Sequence, residues 1–409
     1  MSSPSPKTAL TQFPGGHITA YTPSSTTAFS RFSGSHSPRN GIAILGKKHI
    51  AASHVSGTSA GAVHLYNWWS STPYHRISVP EPVAPLSATS DGQYLFAGGI
   101  SGHIHAFSLP AGDLVRSFPA HSKPISCFEI NGDGSLLISG SNDGTVAIFP
   151  VYKLLSVSSS WSSISDVILH RLIGHESSVT AITIGIGGIN STVISCSLDC
   201  TCKFWSLMHG THLNTVTFPC AVWGIVMDTM ESEFYAAGSD GSVYSGGLAG
   251  QPWKHELNPV AWERKHGGPI VAIATINYGQ NLLTASEEGD VWIWDLETRV
   301  VVKVLADKEM GSISGLVVAK GFDEVCGNGN GRFGGWNLGL YIEEVSRPMR
   351  EVMEMGVALN GAVEDRGRAI NNLESAMGIY EKMLELLLKE VMAGNSGDDG
   401  HGGDEDKAE

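Results

Sequence analysis

The pentapeptide GTSAG at residues 57–61 has the spacing that lifts a nucleophilic serine out of a sharp strand-to-helix turn. Ser59 would be that nucleophile. The residues that follow alternate toward Tyr66 as a second strand, with no helical pattern after them, so the motif reads as a hairpin loop. CSLDCTC at 196–202 offers Cys196, Cys200 and Cys202. Zinc takes four ligands in paired close spacings. These three thiols straddle a turn and have no His or Cys pair close by in sequence, so they read as small apolar filler. GNGNGRFGGW at 327–336 has the glycines of a phosphate loop. It lacks the Gly-Lys-Ser/Thr ending and a following helix that would aim amides at phosphate, and reads as a connector. The chain has 16 histidines but no H-E-x-x-H, and no carboxylate pair stands apart from turn aspartates. The expectation is a protein with no catalytic residue, no cofactor site and no metal site.

The elements that carry these residues are strands. Gly accounts for 49 of 409 residues, and charged residues make up 16% of the chain. Many tight turns and few solvated helices produce such a balance. LLISGSNDGTVAIF (136–149), VISCSLDCTCKFW (193–205), FYAAGSDGSVYSG (234–246), LLTASEEGDVWIWDL (282–296) and YLFAGGISGHIHAF (94–107) share one plan. An apolar strand ends in small residues, a turn usually holds Asp-Gly, and a second strand alternates toward an aromatic. Asp-Gly suits a hairpin because glycine accepts positive φ and aspartate bonds the local backbone. Weaker copies lie at 49–66 and 8–21. The closing positions are 21, 66, 107, 149, 205, 246 and 294, so the steps are 45, 41, 42, 56, 41 and 48. The long step holds a Ser-rich stretch at about 153–167, which reads as a surface insertion.

An apolar run precedes most hairpins, often opened by a histidine: His121, His175 and His266. A fourth short stretch follows each. Four strands at a period near 40–45 predict one blade of a β-propeller, and seven hairpins predict seven blades. The strand at 311–319 has no hairpin of its own, and the first hairpin has no inner strand. Pairing the two closes the ring. The aromatic loop WWSSTPYH (68–75) is read either as an exposed contact or as packing on the neighbouring blade.

The Gly-His or Ala-His openings, the turn aspartates Asp143, Asp199 and Asp240, and the closing Trp294-Asp295 resemble WD repeats over roughly residues 8–317. In that family a His, a Ser or Thr, the turn Asp and the Trp hydrogen-bond within a blade. His175, Ser195 or Ser197, Asp199 and Trp205 match that pattern.

After Gly339 the pattern becomes helical. Ile370, Leu373, Met377, Tyr380, Leu384, Leu387 and Val391 are spaced alternately by 3 and 4, an a/d seam over three heptads. Residues 1–339 are assigned to the seven-bladed propeller, 340–393 to a helical extension and 394–409 to a disordered acidic tail. The seam is read as a partner-binding coiled coil, homomeric or heteromeric, with a helix folded back on the propeller as the plainer alternative.

Net charge is −14, of which residues 341–409 carry −9. That is no footprint for nucleic acid, so little direct RNA or DNA binding is expected. The N-terminus shows no signal-peptide pattern, and no stretch approaches 18 consecutive apolar residues, so no membrane association is expected. The six cysteines have no framework spacing and read as reduced thiols of an intracellular protein.

Seven degenerate blades, a Ser-rich insertion after the fourth, SLDCTCKFW in the fifth and a helical, acidic C-terminus together resemble one subfamily. It is the WD-repeat subunit of the nuclear pre-rRNA-processing complex, in a plant-like form similar to the root-initiation-defective proteins. The resemblance implies a nuclear scaffold acting in maturation of the large ribosomal subunit. It further implies partnership with a helical-repeat scaffold, a midasin-type ATPase and the pre-ribosome. The alternative is a substrate receptor of a ubiquitin ligase. Receptors of the cullin-linked kind carry Trp-Asp-x-Arg, and here Glu297 stands where Arg is expected.

Overall fold

The computed structural model describes residues 8–13, 16–21, 23, 28–46, 49–55, 60–156, 165, 167–248, 259–263, 265–306 and 312–319. All of them belong to the first of the chain's two units, Met1–Val325. The predicted boundary at 339, the helical seam from Ile370 to Val391 and the acidic tail lie outside the described residues.

Twenty-eight described strands form seven four-stranded antiparallel sheets. Six sheets, blades 2 to 7, each take four consecutive strands. Blade 1 takes the last strand of the described chain followed by the first three. The strand left over in the sequence, Gly315–Ala319, pairs with Thr8–Phe13 in the register Thr8↔Ala319 through Gln12↔Gly315. That pairing supplies the innermost strand of blade 1. The other innermost strands are Ile42–Leu45, Val83–Ala88, Ile125–Ile130, Val179–Ile184, Val222–Met227 and Ile270–Ile276.

The second strand of a blade is covered on both faces, which is why it reads as a continuous apolar run instead of an alternating one. In Thr192–Ser197 of blade 5, every residue after the first is buried. Alternate side chains turn to opposite neighbours. Val193 packs toward blade 4, and Ile194 toward blade 6. The hydrophobic residues accordingly fall into seven clusters, one at each junction between adjacent blades. The cluster between blades 7 and 1 joins Leu283, Val291 and Ile293 to Ala9, Phe13 and Tyr21. The small residues that end these strands have a steric cause. A Cβ on Gly140 would lie 2.7 Å from both Cys127 Sγ and Val179 Cγ1.

The Ser-rich insertion does not begin as a loop. Val151–Leu155 form a short helix whose Val151 and Leu154 are buried in the cluster between blades 3 and 4. Their i, i+3 spacing places both on one face. The stretch 157–164 lies outside the described residues.

Candidate functional site

The polar residues singled out in the sequence converge at one end of blades 4 to 7, where the turn of one hairpin meets the chain entering the same sheet. Blade 5 has the fullest set. His175 Nδ1 lies 2.9 Å from Asp199 Oδ2, and its Nε2 lies 2.9 Å from Ser195 Oγ. The Trp205 indole N–H donates to the same Ser195 oxygen at 2.8 Å. A carboxylate only accepts, so Nδ1 carries the imidazole proton. Nε2 then accepts from the Ser195 hydroxyl. The result is a one-way chain, Trp205 to Ser195 to His175 to Asp199, in which every buried donor has an acceptor.

Of the two serines compatible with the sequence, Ser195 occupies the bridging position. Ser197 is displaced from it, because one hairpin strand brings Ser195 opposite Lys203, beside Trp205. Ser197 Oγ instead accepts the Asp199 backbone N–H at 3.1 Å. Burial raises the carboxyl pKa of Asp199. Hydrogen bonds from Thr201 and His175 outweigh that and hold it below the usual carboxylate range. Burial lowers His175, only partly offset by Asp199, so the imidazole is neutral.

Blade 4 repeats the plan without the indole. His121 Nε2 lies 2.7 Å from Ser139 Oγ, and Asp143 accepts from Thr145 Oγ1 at 2.7 Å and from the Ser122 amide at 3.0 Å. Phe149 occupies the Trp position. In blade 7, Trp294 Nε1 and His266 Nε2 both meet Thr284 Oγ1 at 2.8 Å.

Three blades reach the same end with other residues. In blade 3 the polarity is reversed. Glu81 stands where blades 4, 5 and 7 have histidine, and accepts from Ser101 N at 2.8 Å, Ser101 Oγ at 2.6 Å and His105 Nε2 at 3.1 Å. In blade 6, Cys220 donates to Asp240 Oδ1 at 3.3 Å, and Tyr244 Oη donates to Oδ2 at 3.0 Å. The closing aromatic is absent there. A Cβ on Gly246 would lie 2.4 Å from the Phe234 ring. Trp262, just after the outer strand Val260–Ala261, takes its part instead, donating to Ser245 Oγ at 3.1 Å and packing on Trp294 at 5.1 Å. In blade 2, Ser35 Oγ meets His64 Nδ1 at 2.9 Å and Tyr66 Oη at 2.6 Å. A search for histidine passes over Glu81 and Cys220. Their offset would have found them: both lie 20 residues before the turn residue they bind, against 22 for His121 and 24 for His175.

The blade 5 constellation satisfies its polar atoms internally, whereas in blade 3 His105 Nδ1 is buried without a hydrogen-bond partner. Among the described residues no three His, Cys, Asp or Glu are placed to hold a metal ion. Cys196 and Cys202 are fully buried and directly opposed on adjacent strands, while Cys200 sits in the turn. Ser59 lies outside the described residues, and the chain continues from Gly61 as a strand, not a helix. The loop 327–336 also lies outside them.

Exposed apolar side chains lie elsewhere. Strands alternate in direction, so the loops joining first to second and third to fourth strands emerge on one face. That face carries Trp69, Tyr152, Ile186, Met208 and Met230, which are 71, 70, 75, 53 and 81% exposed. The last four come from blades 4, 5 and 6. Trp68 turns inward onto Phe32 of blade 1, at 5.7 Å, while its neighbour Trp69 faces solvent.

Residues 112–149 and 166–206 match the family described as WD domain, G-beta repeat. Each match starts at the outer strand of one blade and ends within the next, the same offset that closes the ring. The chain is 28% identical over 359 residues to Protein ROOT INITIATION DEFECTIVE 3 of Arabidopsis thaliana, covering 86% of this chain and 81% of the relative. It is 28% identical to human WD repeat-containing protein 18, covering 67% of this chain and 63% of the relative. It is 26% identical to Pre-rRNA-processing protein IPI3 of Mycosarcoma maydis, covering 56% of this chain and 42% of the relative. A chain in the crystal structure of a mitotic checkpoint complex superposes with a TM-score of 0.57 at 18% identity, over 68% of this chain and 81% of that one, a likeness of fold alone. The structure is a seven-bladed β-propeller with WD repeats at residues 112–149 and 166–206, and the chain is similar to the root-initiation-defective, WD repeat-containing 18 and Ipi3 proteins.

Proposed function

We propose that the protein is a non-catalytic scaffold subunit of a nuclear ribosome-biogenesis complex, acting in pre-rRNA processing and maturation of the large ribosomal subunit. The observation that carries this reading is the similarity, along the propeller, to relatives named as pre-rRNA-processing proteins. The geometry is consistent with an adaptor. The Ser195–His175–Asp199 set is closed inside blade 5, with Ser195 fully buried and bonded to Trp205, while one face presents separated apolar side chains to solvent.

The partners of this reading are a helical-repeat scaffold protein, a midasin-type ATPase and the pre-ribosome. The seam Ile370, Leu373, Met377, Tyr380, Leu384, Leu387 and Val391 is the second docking element, through a partner helix or a second copy of the chain. Affinity purification from nuclei with mass spectrometry tests the assignment. Pre-ribosomal proteins in the eluate are the expected result. Cullin adaptors in their place would overturn it in favour of a ubiquitin-ligase receptor. Truncation after Gly339 is expected to leave a folded propeller that no longer co-purifies with its partner. A truncated protein that still assembles fully would remove the coiled coil from the mechanism.

A further inference from the structure

Charge is unevenly divided along the chain. Residues 1–80 contain six Lys or Arg, six His and no Asp or Glu, a formal charge of +6, which leaves −20 for residues 81–409 out of the total of −14. Blade 2, from Ile42 to Val79, lies wholly within that acid-free stretch. At the end where the polar networks gather, blades 3 to 7 each have a carboxylate: Glu81, Asp143, Asp199, Asp240 and, in the turn between Ser286 and Val291, Glu288. Blade 2 has none, and its histidines are left to one another.

His64 is buried, its Nδ1 2.9 Å from Ser35 Oγ. His54 stacks on it, with ring centroids 4.6 Å apart and 18° between the planes. The His54 Nδ1 accepts the His36 backbone N–H at 3.1 Å, so its proton sits on Nε2, which has no partner among the described residues. The exposed His36 ring lies 5.7 Å from His54 and rests against Gly16 of blade 1, where a Cβ would come within 3.1 Å of it. Arg76 stands opposite His64 on the outer strand and is exposed. No hydrogen bond or ion pair engages its guanidinium among the described residues. Alternation places His54 and His64 on the side of Ile50, Ala52 and Tyr66, which pack against blade 1. The cluster therefore lines the rim of the junction between blades 1 and 2.

Burial, then His36 and Arg76, lowers the His54 imidazole, and burial, His54 and Arg76 lower His64 to about 4. His175 differs, because Asp199 partly offsets its burial. The remaining cations of the stretch do not neutralise the cluster. Arg39 is turned inward to blade 6, where it donates to Trp223 O and lies 4.4 Å over the Trp223 ring. Arg31 is exposed on the outer strand of blade 1, beside His17. Lys7, Lys47 and Lys48 lie outside the described residues. The next acid in the chain, Glu81, is engaged by Ser101 and His105 of blade 3.

We propose that this rim docks an acidic segment of a partner protein, its carboxylates meeting the Arg76 guanidinium and the Nε2–H of His54. Charge complementarity selects the occupant. A nucleic-acid strand carries a phosphate every few ångströms and would run past so small a patch onto the acid-bearing blades on either side. One face of His54 is also covered by His64, so this pair offers N–H edges and not a platform for bases.

Fluorescence anisotropy of a labelled hexaglutamate peptide with the full-length protein tests this, against hexaglutamine and a single-stranded RNA dodecamer. Saturable binding of the glutamate peptide is expected, weakened by salt and lost for the glutamine peptide. That comparison uses the wild-type protein and is independent of any variant's folding. Arg76→Gln should weaken binding by about 3- to 10-fold. Affinity should rise from about pH 8 to about pH 6, as imidazoles beside a bound carboxylate take up protons, and His54→Gln should flatten that rise. Replacing an exposed lysine at the same end of blade 4, Lys123→Gln, should leave the affinity unchanged. No saturable binding, equal binding of the two peptides, an unchanged affinity in Arg76→Gln, or tighter binding of the RNA would each overturn the assignment. Because the peptide is supplied alone, none of these outcomes bears on the ribosome-biogenesis reading.

Discussion

Replacing Ser195 by alanine removes one oxygen and disconnects three residues. Ser195 is fully buried and takes the Trp205 N–H at 2.8 Å while facing His175 Nε2 at 2.9 Å. Trp205 is itself buried, so its indole N–H is left without an acceptor, a loss of about 1–3 kcal/mol. The lost bond to His175 adds about 1 kcal/mol, giving about 2–4 kcal/mol in all. Two internal controls bracket that figure. Ser197→Ala breaks only the Asp199 amide bond and should cost about 1 kcal/mol. Ser139→Ala in blade 4 removes the equivalent hydroxyl, but Phe149 has no N–H to orphan, so its cost should fall below that of Ser195→Ala by about 1–2 kcal/mol. Equilibrium urea unfolding of the three variants gives the comparison, and a double-mutant cycle with Trp205→Phe isolates the coupling. If Ser195→Ala costs no more than Ser197→Ala, or if its effect simply adds to that of Trp205→Phe, the bridging role is wrong.

The hairpin turns give a second test. A Cβ on Gly144, at φ 80°, would lie 2.7 Å from the His175 carbonyl, so Gly144→Ala should lower stability by at least about 2 kcal/mol. The equivalent position in blade 5 holds Cys200 at φ 62°, and Cys200→Gly should raise the unfolding midpoint by the equivalent of about 0.5–1 kcal/mol. A third concerns pH. Burial lowers His64 to about 4 and depresses His54, His105 and His175. The unfolded chain therefore binds more protons below its usual histidine value, and stability present above about pH 6.5 should be lost progressively down to about pH 4. Burial raises Glu129 to about 7, so its contribution has the opposite sign and falls as pH rises from about 4.5 through 7. Glu129→Gln should thus be more stable than wild type at about pH 8, by up to about 3 kcal/mol, and nearly unchanged at about pH 5. Equal effects at both pH values in urea unfolding would refute it.

The seven blades were legible because each hairpin writes its own turn chemistry into the chain, and because a strand covered on both faces reads as an apolar run. Closure was legible as a matter of pairing, since one inner strand and one hairpin each lacked a mate. The polar networks were legible only where the family's residue types persist, as at His175 and Asp199. Blade 3 supplies its acid from the opposite partner, and blade 6 imports Trp262 from the segment after its outer strand, so neither keeps the pattern that a motif search follows. Choosing between Ser195 and Ser197 needed the register, because both point to the same side of one strand and only cross-strand alignment places Trp205 over one of them. The Arg39 contact had no local signature at all. It joins residues 184 positions apart through a loop that carries no repeat pattern.

The pairing of Thr8–Phe13 with Gly315–Ala319 also sets a schedule for biosynthesis. The amino-terminal hairpin leaves the ribosome about 300 residues before the strand that completes its sheet. At about 5–20 residues per second, it waits about 15–60 s with one row of backbone donors and acceptors unfilled. Nascent chains stalled before codon 315 should be the ones that chaperones hold longest, and synthesis of a few further residues should release them.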